Sequence, residues 1–195
     1  MLNVERIIVG PLHTNCYLAT YAGQTVIIDP GAEAEKISAR LAELGLNAVA
    51  IVNTHGHWDH LMANSALRAR YAIPVFSPLA DRELIEQEKE HYHIDALCLD
   101  KWYDTELALA VPFQVIQTPG HTPGSTCLLL DGHLFSGDTL FAGGYLGRTD
   151  LWGGDAGAMQ RSLARLLELP DETLVWPGHE ESSTIGQERG FYAFR

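Results

Sequence analysis

Four potential metal ligands crowd into six residues, His55-Gly-His-Trp-Asp-His60. Imidazole with carboxylate is the donor set of zinc, iron or manganese, and the absence of cysteine argues against a purely structural zinc site. In an extended or turning segment, side chains two apart point the same way. His55 and His57 can therefore grip one ion while Asp59 and His60, on the following turn, face a second. His121 would give the first ion three nitrogens, and His179 would give the second two nitrogens beside the Asp59 carboxylate. Asp138 is then the natural bridge, with one oxygen for each cation. Each ion keeps an open position, which is the pattern of a catalytic site. Two ions about 3.5–4 Å apart would share a water and lower its pKa toward ~7. Asp59 and Asp138 count as catalytic residues as well as ligands.

Residues so far apart need elements that converge them. Three apolar runs each end in a turn that delivers a histidine: Val49 to His55, Val115 to His121 and Leu174 to His179. A fourth, Leu134-Phe-Ser-Gly, delivers Asp138. Glycine permits tight reversal, proline fixes the approach, and loops leaving one rim of a rigid scaffold converge their polar tips. Strands are expected near Asn3–Val9, Cys16–Thr20, Thr25–Asp29 and Ala48–Asn53, then near Phe113–Gln117, Thr126–Leu130, Leu134–Ser136 and Thr173–Trp176. Helices are expected around Ile37, Leu41 and Leu44 with Gly45 as the stop, over Leu61–Arg70, as an exposed amphipathic stretch at Asp81–Glu90, and at Ala158–Glu168. Strands at the front of each half and a helix closing each half suit an α/β arrangement of two sheets face to face with helices outside.

His91-Tyr-His93-Ile-Asp95 imitates the ligand pattern but follows a helical run, where residues two apart diverge; it reads as a solvated helix end. Cys16 and Cys127 stand in apolar strand contexts and read as packing.

The bulk properties narrow the remaining classes. The 195 residues suffice for one domain, 1–195, with no linker or low-complexity tract. A net charge of −12 without a basic run argues against a nucleic-acid role. No apolar window reaches the ~18 residues of a membrane span, and no signal-peptide pattern opens the chain. Three widely spaced cysteines form no disulfide framework, so a reducing cytoplasm is expected.

Thr54-His-Gly-His-Trp-Asp-His60 resembles the T-H-x-H-x-D-H signature of the metallo-β-lactamase superfamily. Thr118-Pro-Gly-His-Thr-Pro-Gly-Ser125, Ser136-Gly-Asp-Thr-Leu-Phe141, Pro177-Gly-His-Glu180 and Gly10-Pro-Leu-His-Thr-Asn-Cys-Tyr17 are most similar to its glyoxalase II group. The resemblance implies an αββα four-layer sandwich of two mixed sheets. It also implies two divalent ions, zinc first with iron or manganese as alternatives. The implied reaction is hydrolysis of a small-molecule thioester, S-D-lactoylglutathione, to D-lactate and glutathione, by attack of a bridging hydroxide on the carbonyl. A thiol with a pKa near ~8.5 leaves without a dedicated acid. Arg148, in Gly147-Arg-Thr-Asp150, sits where the group places a basic residue that contacts glutathione, and a loop salt bridge with Asp150 is its alternative. Tyr145 could line the same pocket or simply pack. Only sixteen residues follow His179, so a short, single-domain form without the helical C-terminal domain of full-length glyoxalase II is expected. The same motifs are compatible with a mononuclear iron persulfide dioxygenase of the superfamily. A lactonase shares the ligands, whereas dinuclear β-lactamases typically place a cysteine at the second site and lack the histidine equivalent to His60.

Overall fold

The structure is a computed structural model and describes residues 1–92 and 101–192. Two β-sheets lie against each other. The first runs in the order β1-β2-β3-β4-β5-β6, formed by Asn3–Val9, Thr14–Tyr21, Gln24–Ile28, Ala48–Val52, Val75–Pro78 and Lys101–Tyr103. Its first three strands pair antiparallel and β3 to β6 pair parallel, so the sheet is mixed. The second runs β11-β10-β9-β8-β7, formed by Ser183–Thr184, Leu174–Pro177, His133–Gly137, Thr126–Leu130 and Gln114–Gln117. Here β9 and β10 are parallel and the other pairs antiparallel.

Alternation along each strand sorts the side chains into layers. Val26, Ile28, Ala50 and Val52 point between the sheets and meet Leu128 and Phe135 from the facing strands. Their neighbours Ile27 and Ile51 point the other way, onto Ile37 and Leu41 of α1 (Ala34–Glu43) and Leu67 of α2 (Asn64–Tyr71). On the far side, Cys127, Leu134 and Val175 pack under Leu163 and Leu166 of α4 (Ala156–Leu166) and Ile185 of α5 (Ile185–Tyr192). The layers are helix, sheet, sheet, helix. Strands covered on both faces read as unbroken apolar runs, which is the pattern seen at Val49–Val52. The Asp155 carboxylate opens α4 by accepting the Ala158 amide at 2.9 Å, an N-cap of the usual chemistry.

Several expectations need adjustment. The stretch from Leu61 is not helical from its start: Trp58–His60 forms one 3-10 turn and α2 begins at Asn64. The turn carries Asp59 and His60, ahead of the helix. Strands β5, β6 and β11 carry no alternation to reveal them, being two to four residues long. The helix α3, Arg82–His91, is exposed on one side only; Leu84 and Ile85 are buried on the other. His91 ends α3 as expected, while His93, Asp95 and Cys98 lie outside the described residues. No described helix is long and apolar enough to cross a membrane.

Candidate metal centre

The parallel strands β3, β4 and β5 end at the same edge of their sheet, and β7, β9 and β10 end together in the other. Each of these strand ends leads into a polar residue. Asp29 comes after β3, His55 after β4, Asp81 after β5, His121 after β7, Asp138 after β9 and His179 after β10. The two rims meet directly, since the Thr126 amide donates to the Thr54 carbonyl at 3.0 Å.

All seven expected ligands come together there. His55, His57 and His121 form one trio whose ligand atoms lie within 4.8 Å of one another, and Asp59, His60 and His179 form a second. His57 Nδ1 and His121 Nε2 face each other at 2.8 Å. His179 Nε2 lies 3.3 Å and His60 Nε2 3.4 Å from Asp59 Oδ2. Asp138 stands between the trios and turns an oxygen toward each. Its Oδ2 is 3.5 Å from both His121 Nε2 and His179 Nε2, while Oδ1 lies 3.5 Å from His60 Nε2. Oδ2 thus faces both halves, and Gly178 lets the β10 turn close against the other oxygen of Asp138. A Cβ on Gly178 would collide with Asp138 Oδ1 and come within 2.8 Å of His60 Cε1.

The donor set fits two cations on an observation internal to the site. His55 Nε2, His60 Nε2 and Asp138 Oδ1 are buried and make no hydrogen bond. Buried polar atoms are ordinarily satisfied, so unpaired imidazole and carboxylate atoms in both trios suit cations as the missing partners. The residues are positioned for binuclear metal binding.

The far side of each ring is held as well. His121 Nδ1 lies 2.8 Å from the Arg148 carbonyl and His179 Nδ1 lies 3.1 Å from that of Leu12. A carbonyl only accepts, so Nδ1 carries a proton in each and Nε2 is the nitrogen turned toward the carboxylates, where a bound cation would take the place of its proton. Asp29 organises the rest of the rim. Its Oδ2 is 3.1 Å from His60 Nδ1 and accepts the Thr54 hydroxyl at 2.7 Å, and that hydroxyl in turn lies 3.1 Å from His55 Nδ1. The Thr14 hydroxyl donates to Asp59 Oδ2 at 3.0 Å. Sequence reasoning misses Asp29 and Thr14, although Asp29 closes an apolar strand just as Asp138 succeeds one.

Asp81 is the other residue that sequence reasoning misses. Its position suggests the start of an exposed helix, yet it is fully buried. Oδ2 accepts the Gly56 amide at 2.8 Å and the Thr122 hydroxyl at 2.7 Å, and Oδ1 accepts the Gly124 amide at 2.6 Å. One carboxylate thus ties the His55–His57 turn to the His121 turn. Glycine is required at 124 because a Cβ there would stand 2.6 Å from Asp81 Cγ.

The charges divide the two trios. Burial drives His55 far toward its neutral form, and burial with the neighbouring His121 and His60 holds His57 down at about 4. In the second trio burial pushes the same way but loses. Asp59, Asp138 and Asp29 raise His60 to about 9, and hydrogen bonds to Asp138 and Asp59 raise His179 to about 10. Burial favours the neutral acid for Asp59 and Asp138, and the charge of His60 together with hydrogen bonding from His179 overcomes it in both, so each stays below the ordinary carboxylate range. His55 and His57 are thus held neutral, whereas the charge on His60 and His179 is balanced against Asp59 and Asp138.

Two clefts open on this floor. One, about 660 Å³, is walled by Phe141, Tyr145, Arg148 and Glu180; the other, about 560 Å³, by Trp58, Leu84, Tyr92 and Trp152. The Arg148 guanidinium is exposed and forms a two-pronged ion pair with Asp150, both bonds at 2.8 Å, so the loop salt bridge expected as the alternative is present. Tyr145 lines the first cleft with 71 % of its surface exposed, so it is not packed into the core. Cys16 and Cys127 are buried in strands, where desolvation raises both thiols, Cys127 to about 11.

A sandwich of two mixed sheets with seven side chains positioned on its rim to hold metal fits a class of metal-dependent proteins, and comparison with known proteins identifies the family. The Metallo-beta-lactamase superfamily matches residues 9–179, and the chain belongs to that superfamily. The hydroxyacylglutathione hydrolase GloC of Haemophilus influenzae is 35 % identical over 96 % of this chain and 95 % of its own length. The crystal structure of the B3 metallo-beta-lactamase BLEG-1 superposes with a TM-score of 0.90 at 34 % identity, covering 98 % of this chain and 99 % of that one. TTHA1623 in a di-iron-bound form superposes with a TM-score of 0.87 at 37 % identity, covering 98 % and 100 %.

Proposed function

We propose that this chain is a binuclear metal-dependent thioester hydrolase acting on S-D-lactoylglutathione, with the seven clustered side chains as its ligands. The observation that carries the reading is the shared Asp138 oxygen between two trios, each of which leaves one side open to a cleft. Two divalent ions bound there would supply a water acidic enough to ionise near neutral pH and a Lewis acid for the carbonyl. The likeness to GloC, over nearly the whole of both chains, supports the thioester over other acyl substrates. Among the described residues both cysteines are buried away from the clefts, which argues for direct hydrolysis over an acyl-enzyme. A thiol leaving group needs no donor to assist it, and no acid on the cleft walls is required for that task.

The residues of the chain orient the substrate. Asp150 engages Nε and Nη2 of Arg148, so the remaining Nη1 edge is the one presented to a carboxylate of glutathione, with Tyr145 beside it. Zinc is the first candidate metal, and the di-iron form of TTHA1623 keeps iron open.

Metal content and hydrolysis of S-D-lactoylglutathione, measured on one preparation purified without added metal, test the proposal. Two ions per chain and turnover that disappears in His57→Ala are expected. One iron with oxygen uptake on glutathione persulfide would instead make the chain a dioxygenase. Turnover of a β-lactam without any thioester cleavage would assign it the activity in the name of BLEG-1.

A further inference from the structure

A thioester has two halves joined at the carbonyl under attack, and the metal centre opens into two clefts of different chemistry. The first carries charges of both signs, Arg148 with Glu180 and Glu181, beside Phe141 and Tyr145. That chemistry suits a zwitterionic peptide thiol. The second is walled by Leu12, Trp58, Leu84, Tyr92, Leu151 and Trp152, with Glu88 among them and Arg148, paired with Asp150, shared with the first cleft. Both clefts reach His121, Asp138 and His179, so they share one floor.

The second wall is apolar surface held open to solvent. Leu12, Tyr92, Leu151 and Trp152 keep 52, 42, 39 and 43 % of their surface exposed, and all four stand around this one cleft. Contiguous exposed apolar side chains at a reactive centre mark a binding surface. They are also fixed in place. Trp58, one residue from the ligands His57 and Asp59, stacks on Tyr92 with ring centroids 4.8 Å apart, and its amide donates to Glu88 at 3.2 Å. Leu151 and Trp152 sit in a turn closed by the Gly154 amide donating to the Leu151 carbonyl at 3.0 Å; the next amide, Asp155, donates to the Gly120 carbonyl at 2.8 Å, beside His121. At about 560 Å³ the cleft lies within the range that holds a drug-sized ligand, far beyond the needs of a lactoyl group of a few atoms.

We infer that this second cleft receives the acyl half of the substrate and selects uncharged acyl groups bearing an aromatic ring, the class of substrate on which the enzyme works best. The inference rests on the thioester reading. In the reaction water's oxygen forms a bond to the carbonyl carbon, the C–S bond breaks, the sulfur leaves with the electron pair as thiolate, and water's protons end on the thiol and the carboxyl product. The aromatic ring lies against Trp58 and Trp152; with the Arg148 charge already offset by Asp150, Glu88 is left to repel an acyl chain that ends in a carboxylate.

The test uses the metal-loaded enzyme and three thioesters of one thiol: S-D-lactoyl-, S-D-mandeloyl- and S-succinylglutathione. Mandeloyl differs from lactoyl in a phenyl for a methyl, so the comparison isolates apolar burial in the acyl arm. The expected kcat/KM for mandeloyl is about tenfold that for lactoyl, from partial burial of the ring, and succinyl is the slowest of the three. Trp152→Ala should collapse the mandeloyl-to-lactoyl ratio toward one, with an unchanged circular dichroism spectrum to show that the variant folds. Glu88→Gln should raise the succinyl rate relative to lactoyl. Lactoyl cleavage with a ratio at or below one that Trp152→Ala does not move overturns the acyl-arm assignment while leaving the thioesterase standing. Failure on all three overturns the thioester reading itself and this inference with it.

Discussion

At the scale of single residues, the least conspicuous acid has the clearest structural task. Asp81 accepts three hydrogen bonds from two turns that together carry His55, His57 and His121. Asp81→Asn preserves the volume but turns one acceptor into a donor that faces a backbone N–H. The unmatched pair costs about 1–3 kcal/mol. For a chain of this size that lowers the melting temperature by roughly 2–4 °C per kcal/mol. The loss should fall unevenly on the metals. The first trio depends on the Asp81 tie, whereas His60 and His179 are held by Asp29 and the Leu12 carbonyl. Elemental analysis of Asp81→Asn is therefore expected to give close to one ion per chain under conditions that load the natural protein with two. Retention of both ions at the same affinity would show that Asp81 serves stability alone.

At the scale of elements, the turns are legible in the sequence and their supports are not. The ligands stand out because imidazoles gathered at the ends of apolar runs serve neither packing nor solvation well. The division of His55 and His57 from Asp59 and His60 comes from side-chain alternation. Asp29 and Asp81 are hidden because a lone acid beside a strand or at the head of a helix reads equally well as a solvated group; only burial tells them apart. The three-residue β6 is hidden for a different reason, since Lys101, Trp102 and Tyr103 are too few to show a period. Helix α5 shows how a short element supports the site. Its Glu188 is buried and accepts the amides of Gly143 at 3.2 Å and Gly144 at 2.7 Å, and the Tyr192 hydroxyl donates to the Gly144 carbonyl at 2.7 Å. Those contacts pin the loop that presents Tyr145 and Arg148. Glu188→Ala should free it. Because no metal ligand lies in α5, KM for the thioester is expected to rise by about fivefold to about a hundredfold, for two lost hydrogen bonds of about 0.5–1.5 kcal/mol each, while kcat and metal content hold. A fall in kcat with unchanged KM would place the loop in the chemical step instead of binding.

At the scale of the molecule, the candidate metal centre stands where the two sheets meet. His55, His57, Asp59 and His60 leave the first sheet; His121, Asp138 and His179 leave the second, and each trio takes ligands from both. A cation held by one trio is therefore a crosslink between sheets that are otherwise joined along this edge by contacts such as Thr126 N to Thr54 O. An unfolded chain cannot present the same seven donors together, so metal binds the native state preferentially and stabilises it by mass action. At a free metal concentration of a hundred times Kd that amounts to about 2.7 kcal/mol per site. With roughly 2–4 °C per kcal/mol for this size, filling one site should raise the melting temperature by about 5–10 °C, and filling both by about twice that. Thermal unfolding after chelation and dialysis, followed by titration with zinc, reads the effect directly. Two successive rises, one for each ion, are expected in the natural protein. Asp81→Asn should show only the rise that belongs to the second trio, because the first has lost the tie that shapes it. A melting temperature indifferent to zinc in the natural protein would mean that the packed interface between the sheets holds the rim in place without metal.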